Sequence, residues 1–394
     1  MSVLTSGPLD GIRVLDLSAY IAAPYGCTLL ADHGAEVIKI EPPQGDNLRH
    51  YPSTLATEGR AFLGVNRGKL GLSLDLKQPQ GLEALRRLLR DADVLVHNFR
   101  PGVPERLGIG FDQLRAEYPR LVYCAVTGYG ETGPARDKAG YDQVLQAMSG
   151  ICALQGTAAE PEIVYGSAVD YYAAALVAGG VSSALLARER TGQGQYVGVS
   201  LLRSALAMQS ARFVWADGEA REVNRDMRSG GVTGLHPTAD GVLYLSANTA
   251  HFWAALCELT GLQALASDPR YATVRQRAQH AAQIVPQLRQ ALLQRSAKQW
   301  ESLFGERVPC AAVREIEDMF DDPQVQAENM VQTFEHPRAG RYRGLASAVK
   351  FGTSSKPPAA RAAPAFGEHS DAILARLGYD AAEIVGLREA GAVA

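Results

Sequence analysis

The sequence predicts an α/β protein whose core is a parallel sheet with helices on both faces. A strand pattern at 12–17, a helical pattern at 22–32 and a second strand pattern at 35–41 make one βαβ unit. The same alternation continues to residue 127, which is typical of parallel sheets. At 394 residues the chain exceeds a single hydrophobic core, so we expect two domains.

The later elements follow from the same periodicities. In chain order they are a helix at 81–90, strands at 94–98 and 121–127, a helix at 171–186, a strand at 196–199, a helix from about Ser200, helices near 251–260, 284–293 and 298–306, and a final helix at 370–377. Residues 216–241 are charged and Gly-rich, which predicts an irregular segment. The Ala- and Pro-rich stretch 354–364 predicts an extended linker.

The loop after the first strand argues against a nicotinamide cofactor. Dinucleotide-binding proteins carry G-x-G-x-x-G at this point, whereas this chain has Ser-Ala-Tyr-Ile-Ala-Ala-Pro at 18–24. A hydroxy-acid dehydrogenase is therefore disfavoured.

Composition disfavours several further classes. A net charge of -3 gives no broad basic field, so nucleic acid and anionic membranes are poor partners. Five scattered cysteines without a C-x-x-C pair favour a reducing, cytoplasmic location over a disulfide framework or a zinc site. The eight histidines form no ligand motif, so no metal is expected. We also expect no leader and no membrane-spanning segment.

One carboxylate stands at the start of a long apolar run. Asp170 precedes the uncharged stretch 171–186, which places it in the first turn of a buried helix. There it would accept hydrogen bonds from free N–H groups and feel the positive helix end, so we expect it to stay ionised. Two roles remain open, a helix N-cap, which is the commoner use of Asp at this position, and a nucleophile.

Several short segments are specific as an ordered set, although each alone is weak. They are LDGIRVLDL at 9–17, GAEVIKIE at 34–41, Gly45-Asp46 with Arg49, NRGK at 66–69, LDLK at 74–77, DVLVHNFRPG at 93–102, TGYGETGP at 127–134, GYD at 140–142 and GEHS at 367–370. In this order they resemble the family III CoA-transferases, the group that includes formyl-CoA and crotonobetainyl-CoA:carnitine transferases. The resemblance spans essentially the whole chain.

The resemblance implies a covalent mechanism centred on Asp170. That carboxylate would attack an acyl-CoA thioester to form a mixed anhydride, and CoA would then return to give an aspartyl-CoA thioester that an acceptor acid consumes. Water must be kept from the anhydrides, and Gly230 and Gly231 occupy the place of the family's glycine-rich lid. An ordinary flexible surface loop is the alternative for these two glycines.

CoA-binding residues are also implied by the resemblance. They are Ile21, Ala22, Leu74, Lys77, Asn98, Phe99, Arg106, Tyr141 and Asp142. For Arg106 a surface salt bridge is an equal alternative. The chain departs from formyl-CoA transferases at Pro42, where those enzymes are basic, and at Ile21, where they have Gln. The phosphate contacts could then pass to Arg49, Arg67 or Lys69, and oxalate is a doubtful acceptor.

The implied architecture is an interlocked homodimer of chains with a Rossmann-like large domain and a smaller α+β domain. We expect the large domain at 1–215, the small domain at 225–330, and a linker with the return to the large domain at 331–394. The substrates would be an acyl-CoA thioester and a carboxylic acid, with no permanently bound cofactor. Family analogy alone favours succinyl-CoA as donor, and phenolic and apolar walls suit a short dicarboxylate or an aromatic acid.

Two alternatives differ in chemistry from a transferase. An α-methylacyl-CoA racemase uses a His in a G-H-D triplet, whereas this chain has Tyr141 at that position. A CoA-binding protein without turnover would lose no activity when residue 170 is neutralised.

Overall fold

A computed structural model describes residues 7–156, 159–220, 231–351 and 361–394. The chain forms two compact units, one built from residues up to Val214 together with Gln324–Ala394, and the other from Trp215–Pro323. Gly230 lies outside the described residues.

The N-terminal part of the large unit alternates strands and helices. Its elements are β1 Arg13–Asp16, α1 Ala22–Asp32, β2 Glu36–Glu41, α2 Arg60–Val65, β3 Leu70–Ser73, α3 Pro79–Leu89, β4 Val94–His97, α4 Val103–Arg106, α5 Phe111–Glu117, β5 Val122–Thr127, α6 Asp142–Ser149, α7 Ile151–Gln155, α8 Ala168–Thr191, β6 Tyr196–Ser200 and α9 Leu201–Ala207. The short 3-10 turn Asn47–His50 follows β2.

These six strands form one parallel sheet in the order β3-β2-β1-β4-β5-β6. Every pairing is parallel, as in Val14 with Val37 on one side and Val94 on the other. The strand order reverses between β1 and β4, and ligands of such sheets bind outside the carboxyl ends of the strands at that point. The predicted α/β class with a parallel sheet is confirmed.

Helices α1 and α8 pack closely on each other over one face of the sheet. A side chain at Gly26 would meet Val177 Cβ at 2.7 Å and the Ala174 carbonyl oxygen at 3.1 Å, so α1 needs glycine there. Val169, Ala173, Val177 and the inner side chains of β1, β4 and β5 are fully or almost fully buried in this core. The packing holds the first turn of α8 near the strand ends.

The opposite face of the sheet is covered by α3, α5 and two C-terminal helices. The C-terminal part holds α15 Pro323–Ala327, β10 Val331–His336, β11 Gly340–Leu345, α16 Ser370–Arg376 and α17 Ala381–Glu389. It is tied to the β3 region because the His369 N–H donates to Gly71 O at 2.9 Å and the Asp75 N–H donates to Ala392 O at 2.9 Å.

The second unit has its own sheet and core. Its elements are β7 Gly234–Pro237, β8 Val242–Leu245, α10 Ala250–Leu259, α11 Gln263–Ser267, α12 Val274–Gln279, α13 Ala281–Leu292, α14 Ala297–Phe304 and β9 Cys310–Ala312. The strands form an antiparallel sheet in the order β7-β8-β9. Trp253, Trp300 and Phe304 are buried among the aliphatic residues of its core.

Several elements were not predicted, and three of them are instructive. Strand β3 was not predicted, because it is only four residues long and contains Gly71, where a Cβ would meet Pro364 at 2.8 Å. Strand β7 lies inside the stretch 216–241, which had been predicted to be irregular. Helix α17 follows the helix predicted to be the last one.

Helix α8 differs from the expectation that the chain contains no segment able to span a membrane. Its 24 residues are long and apolar enough to cross a bilayer by length and composition. In the structure one side of the helix is buried against α1 and the sheet, as in the core helix of a soluble domain.

Candidate active site

A cavity of about 310 Å³ lies at the carboxyl ends of β1, β4 and β5. Its lining comes from the loop after β1, the turn at 48–51, the loops after β4 and β5, and the first turn of α8. It therefore occupies the point where the strand order reverses, which is where sheets of this order bind ligands.

The loop between β1 and α1 is held by polar groups from neighbouring strands. The Ala19 N–H donates to Asn98 Oδ1 at 3.0 Å, and Asn98 Nδ2 donates to Ala19 O at 2.7 Å. The Tyr20 N–H donates to Asp46 Oδ1 at 3.2 Å. These contacts put Ile21 and Ala22, both predicted site residues, into the cavity wall beside Asn98 and Phe99.

The loop before α6 reaches the same cavity because two glycines touch. A Cβ on Gly140 would lie 2.8 Å from Gly128 Cα, so neither glycine can carry a side chain without moving its partner. This approach places Tyr141 and Asp142 at the end of β5, where both line the cavity. The two residues nevertheless differ, because Tyr141 is half exposed whereas Asp142 is buried.

Asp142 caps the first turn of α8, which is the role expected of Asp170. Asp142 Oδ2 accepts the Val169 N–H at 2.7 Å and the Asp170 N–H at 3.0 Å, and Gln146 Nε2 donates to Oδ1. The N-cap residue of α8 is Ser167, three residues before Asp170. The N-cap prediction for Asp170 is therefore wrong, because the N-cap residue is Ser167 and a carboxylate from another helix accepts two of the free N–H groups.

Asp170 lies in the cavity wall, and its ionisation also differs from the prediction. Among the described residues its carboxylate has no hydrogen-bond donor, and burial together with the Asp142 charge raises its pKa from 3.8 to about 7. At neutral pH the group is about half protonated, whereas the sequence predicted a fully ionised carboxylate. The helix end does not prevent this, since two of its free N–H groups donate to Asp142 rather than to Asp170.

Three cations at the cavity rim were missed by sequence reasoning. Arg100, Arg136 and Lys138 line the cavity and are exposed. Arg100 lies three residues after the end of β4 in the segment 93–102, so its position after a strand at the reversal point was the available signal. Cations at a cavity mouth suit phosphate groups.

Three other predicted site residues of the large unit lie elsewhere. Within the described chain, the cavity lining does not include Leu74, Lys77 or Arg106. Leu74 is buried in the core on the other face of the sheet, whereas Lys77 and Arg106 are exposed. Gly231 belongs to the second unit and has a φ of 92°, which favours glycine.

The three basic residues suggested to bind the CoA phosphates in place of a basic residue at position 42 form ion pairs with carboxylates instead. Arg49 donates to Glu41 at 2.7 Å and to Glu58 at 3.1 Å, Arg67 to Asp32 at 2.7 Å, and Lys69 to Asp16 at 2.8 Å. All three are largely buried, so the suggestion that they replace the missing basic residue is wrong.

Comparison with known proteins identifies the family. The chain matches CoA-transferase family III over residues 9–370. The chain belongs to this family. It is 32% identical to succinyl-CoA:glutarate CoA-transferase of Mus musculus, over 98% of the chain and 90% of that protein.

Two further relatives of this family III CoA-transferase extend the comparison. Succinate--glutarate CoA-transferase of Agrobacterium fabrum is 33% identical over 94% of the chain and 96% of that protein. The crystal structure of a CAIB/BAIF family protein from Brucella suis is 30% identical, with a TM-score of 0.81, and covers 94% of this chain and 99% of that one.

Proposed function

We propose that the enzyme moves CoA from succinyl-CoA to a short dicarboxylic acid, with Asp170 as the nucleophile. The observation that carries the proposal is a carboxylate without hydrogen-bond donors in the described structure, set in a cavity at the reversal point of the sheet. Such a carboxylate is poorly solvated and therefore reactive. The acids are suggested by the relatives of Mus musculus and Agrobacterium fabrum, which are named for succinyl or succinate and glutarate.

The proposed exchange passes through four balanced steps. The Asp170 carboxylate attacks the thioester carbonyl, the C–S bond breaks, and CoA leaves as a thiolate. The thiolate attacks the aspartyl carbonyl of the anhydride, which releases succinate and forms an aspartyl-CoA thioester. The acceptor carboxylate attacks this thioester to form a second anhydride and frees the thiolate again. The thiolate then takes the acceptor acyl group, and the Asp170 carboxylate is restored.

Trapping tests this proposal directly. The enzyme is incubated with succinyl-CoA and free acids, treated with hydroxylamine or borohydride, and analysed by intact mass and peptide mapping. A covalent change at Asp170 together with a new acyl-CoA is the expected result. Neither adduct nor exchange, but loss of stereochemistry in a 2-methylacyl-CoA, would instead establish a racemase.

The pH dependence provides a second test. We expect kcat/KM to rise with pH through about 7, because the protonated Asp170 acid must lose its proton before it can attack. In Asp142→Asn this rise should move to lower pH, since the neighbouring negative charge raises the Asp170 pKa. Rates measured from pH 5 to 9 give both profiles, and an identical midpoint in the two enzymes would contradict the assignment.

The rim cations provide a third test. We expect Arg100→Ala to raise the KM for succinyl-CoA about 10- to 100-fold with a smaller change in kcat, since a charge-assisted bond to phosphate is worth roughly 1.5–3 kcal/mol. Arg115→Ala, which removes an exposed arginine outside the cavity, is the control. If Arg106→Ala raises KM and Arg100→Ala does not, the nucleotide lies along α4, as the resemblance implies.

We further propose a cytoplasmic homodimer. Helices α6, α8 and α9 pack on one another and leave large apolar side chains exposed, among them Met148, Leu186 and Met208. Exposed apolar side chains of this size support association with a second copy. The five free cysteines support a reducing compartment. Analytical ultracentrifugation at micromolar concentration tests the dimer, and a monomer would contradict it. Cell fractionation tests the location, and recovery outside the cytoplasm would contradict it.

A further inference from the structure

Tyr20 has a backbone conformation that is costly for a large residue. Its φ is 67°, and among the described non-glycine residues only Ser167 and Asn329 share a positive φ. Tyr20 and Ser167 both line the cavity that contains Asp170. Strain of this kind persists where surrounding contacts enforce it, and it gathers at functional sites.

The contacts that enforce the conformation come from three directions. Asn98 binds both backbone groups of Ala19, and Asp46 accepts the Tyr20 N–H. Lys39 Nζ donates to Ser18 O at 2.5 Å from a fully buried position. Three consecutive residues are thus held, and the Tyr20 side chain is directed along the cavity wall.

The phenol of Tyr20 is oriented as a hydrogen-bond donor. Asn47 Nδ2 donates to the Tyr20 hydroxyl oxygen at 2.9 Å, so the hydroxyl proton is left for another acceptor. A phenol is protonated at neutral pH in any case, and a hydrogen bond with Tyr141 raises the pKa of the Tyr20 phenol further. The two rings meet edge to face with centres 5.7 Å apart, and Tyr141 also lines the cavity.

We propose that the hydroxyls of Tyr20 and Tyr141 together bind the non-reacting carboxylate of a dicarboxylic substrate. A carboxylate has two oxygens that accept hydrogen bonds, so on binding it replaces the bond between the two phenols, and each phenol donates its O–H to one carboxylate oxygen. The reacting carboxyl group then lies at Asp170 and the second one at the phenols, within a single cavity. This inference rests on the proposed function and adds to it a specificity-determining role for Tyr20.

The pair explains how a dicarboxylate is distinguished from a monocarboxylate of equal chain length. With a monocarboxylate the two phenols keep only the bond between themselves, whereas a dicarboxylate gains charge-assisted hydrogen bonds that its analogue lacks, and a site built to hydrogen-bond a substrate group discriminates against such an analogue. The same pair serves donor and acceptor, because each acid in turn occupies the same position beside Asp170.

The test compares matched acids in the Tyr20→Phe enzyme. We measure kcat/KM for glutarate and for pentanoate as acceptors, and for succinyl-CoA and butyryl-CoA as donors. Tyr20→Phe keeps the ring and should lower both dicarboxylate-to-monocarboxylate ratios about 10- to 100-fold, the effect of one hydrogen bond to a charged group. The KM for glutarate should rise tenfold or more, with a smaller change in kcat.

Two further variants separate specificity from structure. Tyr118→Phe removes a phenol whose hydroxyl bonds to Glu117 outside the cavity, and it should leave the ratios unchanged. Tyr141→Phe should lower them as Tyr20→Phe does, and it replaces that variant if Tyr20→Phe does not fold. A purely structural role would lower the rates with both kinds of acid equally, and this result would overturn the inference.

Failure of the inference and failure of the proposed function give different results. If the wild-type enzyme transfers no CoA from succinyl-CoA, the proposed function fails. If the wild type transfers CoA but the tyrosine variants keep its ratios, only the carboxylate-binding role is overturned.

Discussion

Asp170→Asn should abolish CoA transfer, with kcat lower by about 10⁴-fold or more. An amide cannot form the anhydride. Among the described residues, Asp142 is the only other carboxylate in the cavity wall that could take the place of Asp170. Asp142 is buried and already accepts three hydrogen bonds, so it is a poor nucleophile. Discontinuous assays with succinyl-CoA and glutarate measure the loss, and Asp170→Ala excludes slow deamidation as a source of activity.

The same substitution should stabilise the folded protein at alkaline pH. Because the pKa of Asp170 is raised from 3.8 to about 7, the folded state binds the proton more tightly than the unfolded state. Stability therefore falls as pH rises from about 4 to 7 and stays lower above 7. Removing the charge should recover up to about 4 kcal/mol at pH 8, the equivalent of about three pKa units, or roughly 10 °C in Tm, and almost nothing at pH 4.

Asp137→Asn is the matched control for this variant. Asp137 is an exposed carboxylate, and its side chain is 78% accessible. It should keep both the transfer rate and the wild-type Tm at pH 4 and 8. Transfer retained by Asp170→Asn would reject the nucleophile, whereas an equal Tm at pH 8 would reject only the raised pKa.

Lys39→Met should destabilise the large unit by about 3–5 kcal/mol. Lys39 is fully buried, and its Nζ lies 2.9 Å from Asp46 and 4.0 Å from Asp16. Burial alone would lower its pKa, but the carboxylates of Asp16, Asp46 and Glu41 outweigh this and raise it, so the lysine is charged. Without the Lys39 ammonium, the buried carboxylates have less positive charge beside them, and Ser18 O loses a hydrogen-bond donor.

Thermal unfolding measures this effect, and we expect a Tm lower by roughly 10 °C. Lys350→Met is the control. Lys350 is exposed and its Nζ forms a surface ion pair with Glu328 at 3.7 Å, so its loss should change stability by less than about 1 kcal/mol. Transfer activity should fall as well, because Lys39 holds the loop that carries Tyr20. A Tm within 2 °C of the wild type, a margin set by about 1 kcal/mol, would contradict the buried network.

Most elements of the sheet were predictable because their apolar periodicity is local. The helix expected at 22–32 is α1 with the same ends, and the strands β2, β4 and β5 lie within one residue of their predicted bounds. Strand β3 escaped because it has four residues and depends on pairing with β2 and on the neighbouring Pro364. Its strand character comes from distant contacts rather than from its own residues.

The candidate site was predictable only where a residue follows a strand or begins a helix. Ile21, Asn98, Tyr141 and Asp170 satisfy that condition and share one cavity wall. Lys69 and Arg49 carry the right charge for phosphate but are held by carboxylates. The sequence shows which side chains are charged, whereas their partners depend on which strands and loops lie side by side.

The sequence by itself determined the α/β class, the family and the apolar run that begins beside Asp170, because these depend on local patterns and on motif order. Only the tertiary structure decided that Asp142, 28 residues before Asp170, caps its helix and raises its pKa. The same holds for Tyr20, whose strained backbone is held by Asn98 and Asp46. The burial of a side chain and the charges next to it exist only in the folded chain. The pKa of Asp170 and the backbone strain of Tyr20 are therefore set by the tertiary structure.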